Sequence, residues 1–205
     1  MDEAQFAELD NVAALFAGFR RPWFVAGGWA LDLYLDRVTR LHEDVDLAIF
    51  REDQLEMQKY LSSWQLFKAT PDRPGVLQPW VEGEWLALPV HEIHAPREDE
   101  EPQALEVLLN EQSGELWQFR RNLDIMRPLA LATMRTSAGL PFLSPEIVLL
   151  YKSRSVYDEN QQDHHAAKSL ADFGNIVPHL DVERRKWLRQ AIESCYPSHQ
   201  WLQRL

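Results

Sequence analysis

The stretch GGWALDLYLDRVTRLHEDVDLAIF, residues 27–50, holds most of the groups in this chain that could do chemistry. Asp44 and Asp46 stand one residue apart where the chain enters Val45–Phe50, a run that reads as a strand. Side chains alternate faces along a strand, so the two aspartates share one face with His42, while Val45, Leu47 and Ile49 take the other. Their Cα atoms then lie about 6.5–7 Å apart, two strand steps. Like charges at that separation disfavour each other's ionisation unless a cation sits between them. Oxygen ligands without thiolates suit Mg²⁺ or Mn²⁺, and magnesium completes its shell with water and substrate phosphates. An isolated Asp-x-Asp at a strand end is satisfied equally well by water, so the neighbours must separate the two readings. Gly27 and Gly28 come straight after a short strand and straight before a helix. Backbone N–H groups can receive a phosphate there, and a bulky side chain would block its approach.

These residues need elements to position them. Phe6, Leu9, Val12, Ala13 and Phe16 share one face of a helix predicted over residues 4–18, which Pro22 stops. WFVAGG predicts a short buried strand, and the helix after it carries Leu31, Tyr34 and Leu35. EDVDLAIF reads as the next strand, EDQLEMQKYLSSW as a helix and WQLFKAT as a further strand. Residues 71–102 are proline-rich and broken, with candidate strands at EWLAL and PVHEIHA. ALEVLLNE and LWQFRR form a hairpin pattern turning at QSGE. From Ser144 the texture becomes helical. Ser144 is the expected N-cap, Pro145 the first helical residue and Glu146 a first-turn acid. Two more helices fit QQDHHAAKSLADF and DVERRKWLRQAIESCY, the latter capped by Asp181 with Val182, Leu188, Ile192 and Cys195 on one stripe. The expected class is α+β, a mixed sheet flanked by helices over residues 1–140 and a helical subdomain over 141–205.

Composition bounds the function. A chain of 205 residues with 45% apolar and 26% charged content is expected to fold as one domain or a domain with a helical appendage. A net charge of −11 repels a phosphate backbone, which disfavours a general nucleic-acid partner and suits a cationic small molecule. No apolar run reaches the roughly 18 residues a membrane span needs, and MDEAQF lacks a signal peptide's basic and apolar regions, so a cytoplasmic protein without a membrane partner is expected. The single cysteine, Cys195, allows no intramolecular disulfide and is expected as a small core residue. His91 with His94, and His164 with His165, lack the further ligands of a closed zinc set. Trp80, Trp85 and Trp117 are read as packing rather than as cleft walls.

Taken together, GGWALDLYLDRVTRLHEDVDLAIF resembles the nucleotidyltransferase superfamily that includes DNA polymerase β, in its small antibiotic-modifying branch of aminoglycoside 2″-adenylyltransferases and lincosamide nucleotidyltransferases. Members of that branch carry a Gly-Gly turn, a helix with W-A-x-D, an arginine near R-x-H-x-D-x-D, and the paired aspartates. The resemblance is strongest over residues 23–50. It implies that Asp44 and Asp46 are catalytic metal ligands, that Gly27 and Gly28 hold the triphosphate, and that Arg40 and Lys152 contact its phosphates. The bland readings are a surface ion pair for Arg40 and a snorkelling surface lysine for Lys152. Similar proteins have a third aspartate; here Glu106 of ALEVLLNE is the first choice for that catalytic and metal-binding place, and Glu92 of HEIHAP the runner-up. Arg120 and Arg121 are expected on alternating faces of the second hairpin strand, at most one turned to the cleft and with a salt bridge as the role. Asp158 and Asp163 are read as solvated helix-end charges. The implied activity is transfer of a nucleoside monophosphate, with AMP from ATP as the expected donor reaction and Mg²⁺ or Mn²⁺ as cofactor, to a hydroxyl of a small polar acceptor such as an aminoglycoside-like antibiotic. A toxin-type enzyme acting on protein or tRNA, and a nucleotide-binding homologue without turnover, are the alternatives. Neither the acceptor nor the oligomeric state follows from the residues.

Overall fold

The computed structural model describes residues 6–97, 102–157 and 164–205. In chain order its elements are α1 (Ala7–Phe16), β1 (Trp23–Val25), α2 (Gly27–Leu35), β2 (Val45–Phe50), α3 (Gln54–Tyr60), β3 (Phe67–Ala69), β4 (Leu77–Pro79), β5 (Glu92–Pro96), β6 (Ala104–Ser113), β7 (Leu116–Phe119), β8 (Asn122–Pro128), α4 (Leu129–Ala132), β9 (Thr133–Arg135), β10 (Pro141–Leu143), α5 (Pro145–Tyr157), α6 (His164–Ile176) and α7 (Val182–Cys195). The strands form one mixed sheet in the order β4-β3-β5-β6-β2-β1-β10-β9, and β7 and β8 extend from the far end of β6. The α+β expectation holds. Beside β1, the short β10 pairs in parallel with Phe142 opposite Val25, and the C-terminal run of helices begins at Pro145.

Strand β2 lies at the centre, antiparallel to β1 and parallel to β6. A strand covered on both faces reads as a near-continuous apolar run, and all of β2 is buried except Asp46. That one break in an otherwise dry strand marks where the sheet meets solvent. The helix α2 starts directly at Gly27, one residue after β1, with Ala26 extended at its N-cap and no side chain capping it. It ends at Asp36 in the left-handed conformation (φ 53°), which a short polar side chain tolerates.

The segment EWLAL is not a strand; β4 forms instead and pairs with β3. The cause is side-chain competition for its backbone. Buried Gln54 of α3 accepts from Leu86 N (2.7 Å) and donates to Leu86 O (3.2 Å). Gln58 likewise accepts from Gly83 N (2.7 Å) and donates to Val81 O (2.9 Å). Peptide groups that would have asked for a strand neighbour are satisfied by these amides.

Among the helices, Asp181 caps α7 as expected, its Oδ1 accepting from Arg184 N at 2.8 Å. The stripe differs: Leu188, Ala191 and Ile192 are buried, Val182 is 78% exposed and Cys195 is half-buried. Ser144 precedes α5, yet its buried Oγ has no partner among the described residues, so no side-chain cap forms there. Glu146, fully buried in the first turn of α5, lies between Arg127 Nη2 (2.6 Å) and Arg184 Nη1 (2.8 Å) and ties β8 and α7 to that helix. No helix among the described residues is long and apolar enough to cross a membrane.

Candidate active site

A cleft of about 540 Å³ separates the ends of β1, β2 and β6 from α5 and α6. Gly27, Gly28, Arg40, Asp44, Asp46, Glu92, Glu106 and Lys152 all line it. The expected residues therefore meet in one place, and the sheet register explains how. Asp46 of β2 stands opposite Glu106 of β6, and Glu106 stands opposite His94 of β5. Neighbouring strands are about 4.8 Å apart, so these three side chains form a row across the sheet. Glu92 lies two residues from His94 on the same strand face and joins the row from the side. His94 Nε2 is 2.6 Å from Glu92 Oε1 and 3.4 Å from Glu106 Oε1. Glu92, His94 and Glu106 bring one ligand atom each within 4.8 Å of one another.

Crowded carboxylates shift one another's protonation. The Glu106 carboxyl is pushed up to about 10, first by burial, then by its hydrogen bond with Asp46 and the charges of Asp46, Glu92 and Asp44. Asp46 is also raised, chiefly by burial, with Asp44 pushing the same way and the Glu106 hydrogen bond and Lys152 opposing. Glu92 is held below its ordinary value by the hydrogen bond from His94. Near neutral pH, Asp46 and Glu106 thus share a proton. A divalent cation at this spot would take that proton's place.

The two glycines have a steric reason beyond any ligand. Gly27 has φ +56°, and a Cβ there would fall 1.7 Å from Asp46 Oδ2. A Cβ on Gly28 would meet Arg40 Nη2 at 2.3 Å and His42 Cε1 at 2.5 Å. Site side chains stand directly on the turn. Ala26 N donates to Asp46 O (2.8 Å), which stitches the turn to β2.

Beneath the turn lies a network centred on Asp32, the aspartate of W-A-x-D. Only 1% exposed, it accepts from Thr39 N (3.1 Å), Thr39 Oγ1 (2.6 Å) and His42 Nε2 (2.6 Å). With its Nε2 proton committed to Asp32, His42 presents Nδ1 to Arg40 Nη1 at 3.2 Å. The His42 ring stacks on Trp29 at 4.2 Å, and Trp29 Nε1 donates to Asp44 O (3.1 Å). Arg40 Nε donates to Asp172 Oδ1 (3.3 Å), and Lys152 Nζ is 2.9 Å from Asp172 Oδ2. Both basic residues expected on the phosphates therefore converge on one buried carboxylate of α6.

A model of the family described as aminoglycoside-2″-adenylyltransferase matches residues 8–170. The chain belongs to this family. Within it, the chain is 36% identical over 58 residues to a 2″-aminoglycoside nucleotidyltransferase of Escherichia coli, a match covering 28% of this chain and 33% of that relative. The matched segment thus spans about a third of the relative's length. The fold is similar to that of ANT(2″)-Ia in complex with adenylyl-2″-tobramycin, with a TM-score of 0.63 at 17% identity over 94% of this chain and 99% of that one. It is also similar to the lincosamide antibiotic adenylyltransferase LnuA bound to lincomycin, with a TM-score of 0.54 at 14% identity over 83% and 96% of the two chains.

Beside these shared features, this family member departs from its sequence reading at Arg120 and Arg121. Strand β7 ends at Phe119, so the pair sits in the turn to β8, where strand alternation no longer applies. Both arginines line the cleft. Neither meets a carboxylate in a salt bridge among the described residues; Arg121 Nη1 donates to Tyr151 O (3.0 Å), and the Arg120 guanidinium lies 5.4 Å from the Tyr151 ring centre. Trp80 and Trp117 are buried, Trp85 is half exposed, and none of the three lines the cleft. Asp158 and Asp163 lie outside the described residues. By sequence, His42 stands beside the aspartates, Asp32 lies within W-A-x-D and His94 is weighed only for zinc, but none of them is given a role in the site there, and Asp172 is not named. For Asp32 the signal was present: an acid between Leu31 and Leu33 in an otherwise apolar stretch.

Proposed function

We propose that this protein transfers a nucleoside monophosphate, AMP from ATP, to a hydroxyl of a small polar acceptor in a Mg²⁺-dependent reaction. One observation carries the reading: Asp44, Asp46 and Glu106 share a cleft with an uncapped helix start at Gly27 and with Arg40 and Lys152. The donor set suits a hard divalent cation, with oxygen ligands, no thiolate, and a carboxylate pair that must otherwise share a proton. Asp44, Asp46 and Glu106 would hold that ion, which when bound polarises the α-phosphate and lowers the pKa of the attacking hydroxyl. Register places Glu106 beside Asp46, and His94 lies closer to Glu92 (2.6 Å) than to Glu106 (3.4 Å), which supports Glu106 over Glu92 as third ligand.

The remaining steps belong to the chain's own groups. The first-turn N–H groups of α2 have no intrahelical partner and suit the β- and γ-phosphates. Arg40 and Lys152, prepositioned on Asp172, neutralise the same oxygens. As the acceptor oxygen bonds to the α-phosphorus, the bond to pyrophosphate breaks and an ionised carboxylate of the row takes the hydroxyl proton. Aminoglycosides and lincosamides, named for the relatives, indicate the acceptor class: a compact, hydroxyl-rich molecule. Such ATP-dependent chemistry fits the cytoplasm.

The test is incubation of the full chain with labelled ATP, Mg²⁺ and a panel of aminoglycosides, lincosamides, tRNA and protein extract. Label is expected in a small-molecule product, and Asp44→Asn is expected to stop pyrophosphate release without lowering Tm. Label confined to protein or tRNA would replace this reading with the toxin-type one; full activity of Asp44→Asn would remove the metal assignment.

A further inference from the structure

The protein is acidic overall, yet six of its 21 lysines and arginines line this one cleft. They fall into two groups. Arg40, Lys152 and Lys168 gather on the side of the Gly27–Gly28 turn and α6, and each is paired: the first two with Asp172, the third with Glu43 at 3.2 Å. Arg120, Arg121 and Arg154 form the other group and have no salt-bridge partner among the described residues. Arg120 and Arg121 are half-buried, and the Arg121 Nε is a buried donor with no acceptor among the described residues. Burial and the neighbouring Arg121 and Arg154 hold Arg120 down to about 10, against the opposing pull of Tyr151 and Glu92. His91, beside them, is lowered to about 4 by burial and by Arg120, so it stays neutral and adds no countercharge of its own. Tyr151, pushed up to about 12, is neutral as well. Guanidinium groups crowded together out of water without an anion are costly, and a planar fork of donors matches a carboxylate or phosphate.

Position decides which reactant would supply that anion. Across the sheet the order is β5, β6, β2, β1, so the carboxylate row has the glycine turn after β1 at one end and, at the other, His91 and Glu92, whose surroundings include Arg120 and Arg121. In-line displacement puts the leaving pyrophosphate and the attacking hydroxyl on opposite sides of the α-phosphorus. With pyrophosphate at the glycine turn, the hydroxyl comes from the arginine side.

We propose that Arg120 and Arg121, with Arg154 at the rim, form an acceptor subsite for an anionic group, so that the acceptor is a hydroxylated compound carrying a carboxylate or phosphate rather than a polycation. This rests on the nucleotidyltransferase reading; it keeps the compact hydroxylated acceptor of that reading and replaces the cationic class named for the relatives by an anionic one.

The experiment titrates the full chain, saturated with a non-hydrolysable ATP analogue and Mg²⁺, with glucose, glucose 6-phosphate, gluconate and tobramycin in a calorimeter. Glucose 6-phosphate or gluconate is expected to bind at least roughly tenfold more tightly than glucose, the value of one charge-assisted hydrogen bond. Tobramycin is expected to bind more weakly than either anion. Arg120→Gln and Arg121→Gln should each erase the preference for the anion while the analogue's Kd stays within twofold. Equal binding of glucose and both anions, tightest binding of tobramycin, or loss of the nucleotide in the arginine variants would each overturn the proposal. A chain that takes up no nucleotide would instead sink the transferase reading; the same titration without nucleotide then still decides whether the arginines select an anion.

Discussion

Replacing Gly27 by alanine tests the link between the turn and the Asp46 carboxylate, because two separable costs meet at that residue. Holding a residue with a Cβ at φ +56° costs about 1–2 kcal/mol. The new Cβ would also fall 1.7 Å from Asp46 Oδ2, so the carboxylate must swing away and give up its hydrogen bond with Glu106. Leaving a buried polar group unpaired costs about 1–3 kcal/mol more, for a total of about 2–5 kcal/mol. Removing the carboxylate first should remove the second cost. In an Asp46→Ala background only the Cβ of residue 46 remains, at a tight 3.0 Å, and Gly27→Ala should then cost about 1–2 kcal/mol. Urea denaturation of the four chains gives the coupling directly, expected at about 1–3 kcal/mol. Pyrophosphate release by Gly27→Ala should fall roughly 100-fold or more, since a displacement of about 1 Å at a reacting group has that effect. Equal destabilisation in both backgrounds, or activity within a few-fold of the parent, would refute the steric link.

Two further outcomes follow from the carboxylate row. Glu106→Gln should lower kcat by roughly 100-fold or more and Glu92→Gln by less than roughly tenfold, and steady-state kinetics showing the reverse order would make Glu92 the third carboxylate. Because the Glu106 carboxyl is raised from 4.5 to about 10, its contribution to stability is whole below pH 4.5 and is lost as pH climbs toward 10. The metal-free chain should therefore melt at a lower temperature at pH 9 than at pH 6, and Mg²⁺ should raise Tm more at pH 9; an equal Mg²⁺ shift at both values would argue against ion binding at Glu106.

Much of the cleft lining was legible because it is local: Gly27 through Phe50 carries its own spacing, and Asp44 and Asp46 do line one cleft, although β2 begins only at Val45, so Asp44 stands in the bend before the strand and its place there does not come from the strand alternation that was expected. Glu106 could be picked from the strength of its strand, though only the parallel register of β2 with β6 sets it beside Asp46. What escaped was non-local or irregular. Asp172 matters because α6 folds back over Arg40, a contact no short window contains. Arg120 and Arg121 were misplaced by assuming the strand ran through them, when it ends one residue earlier. The EWLAL strand failed because Gln54, from a distant helix, took the hydrogen bonds of Leu86, while Gln58 held the Val81 and Gly83 backbone just before it.

Asp172 fastens an arginine from the sheet half and a lysine from α5 with one carboxylate. On the proposed function, an incoming triphosphate would compete for both of those cations at once. Each nucleotide bound in that way would loosen the strap between Arg40, α5 and α6, and each departing pyrophosphate would let it retie, so that substrate turnover and the stiffness of the molecule would be joined at a single side chain.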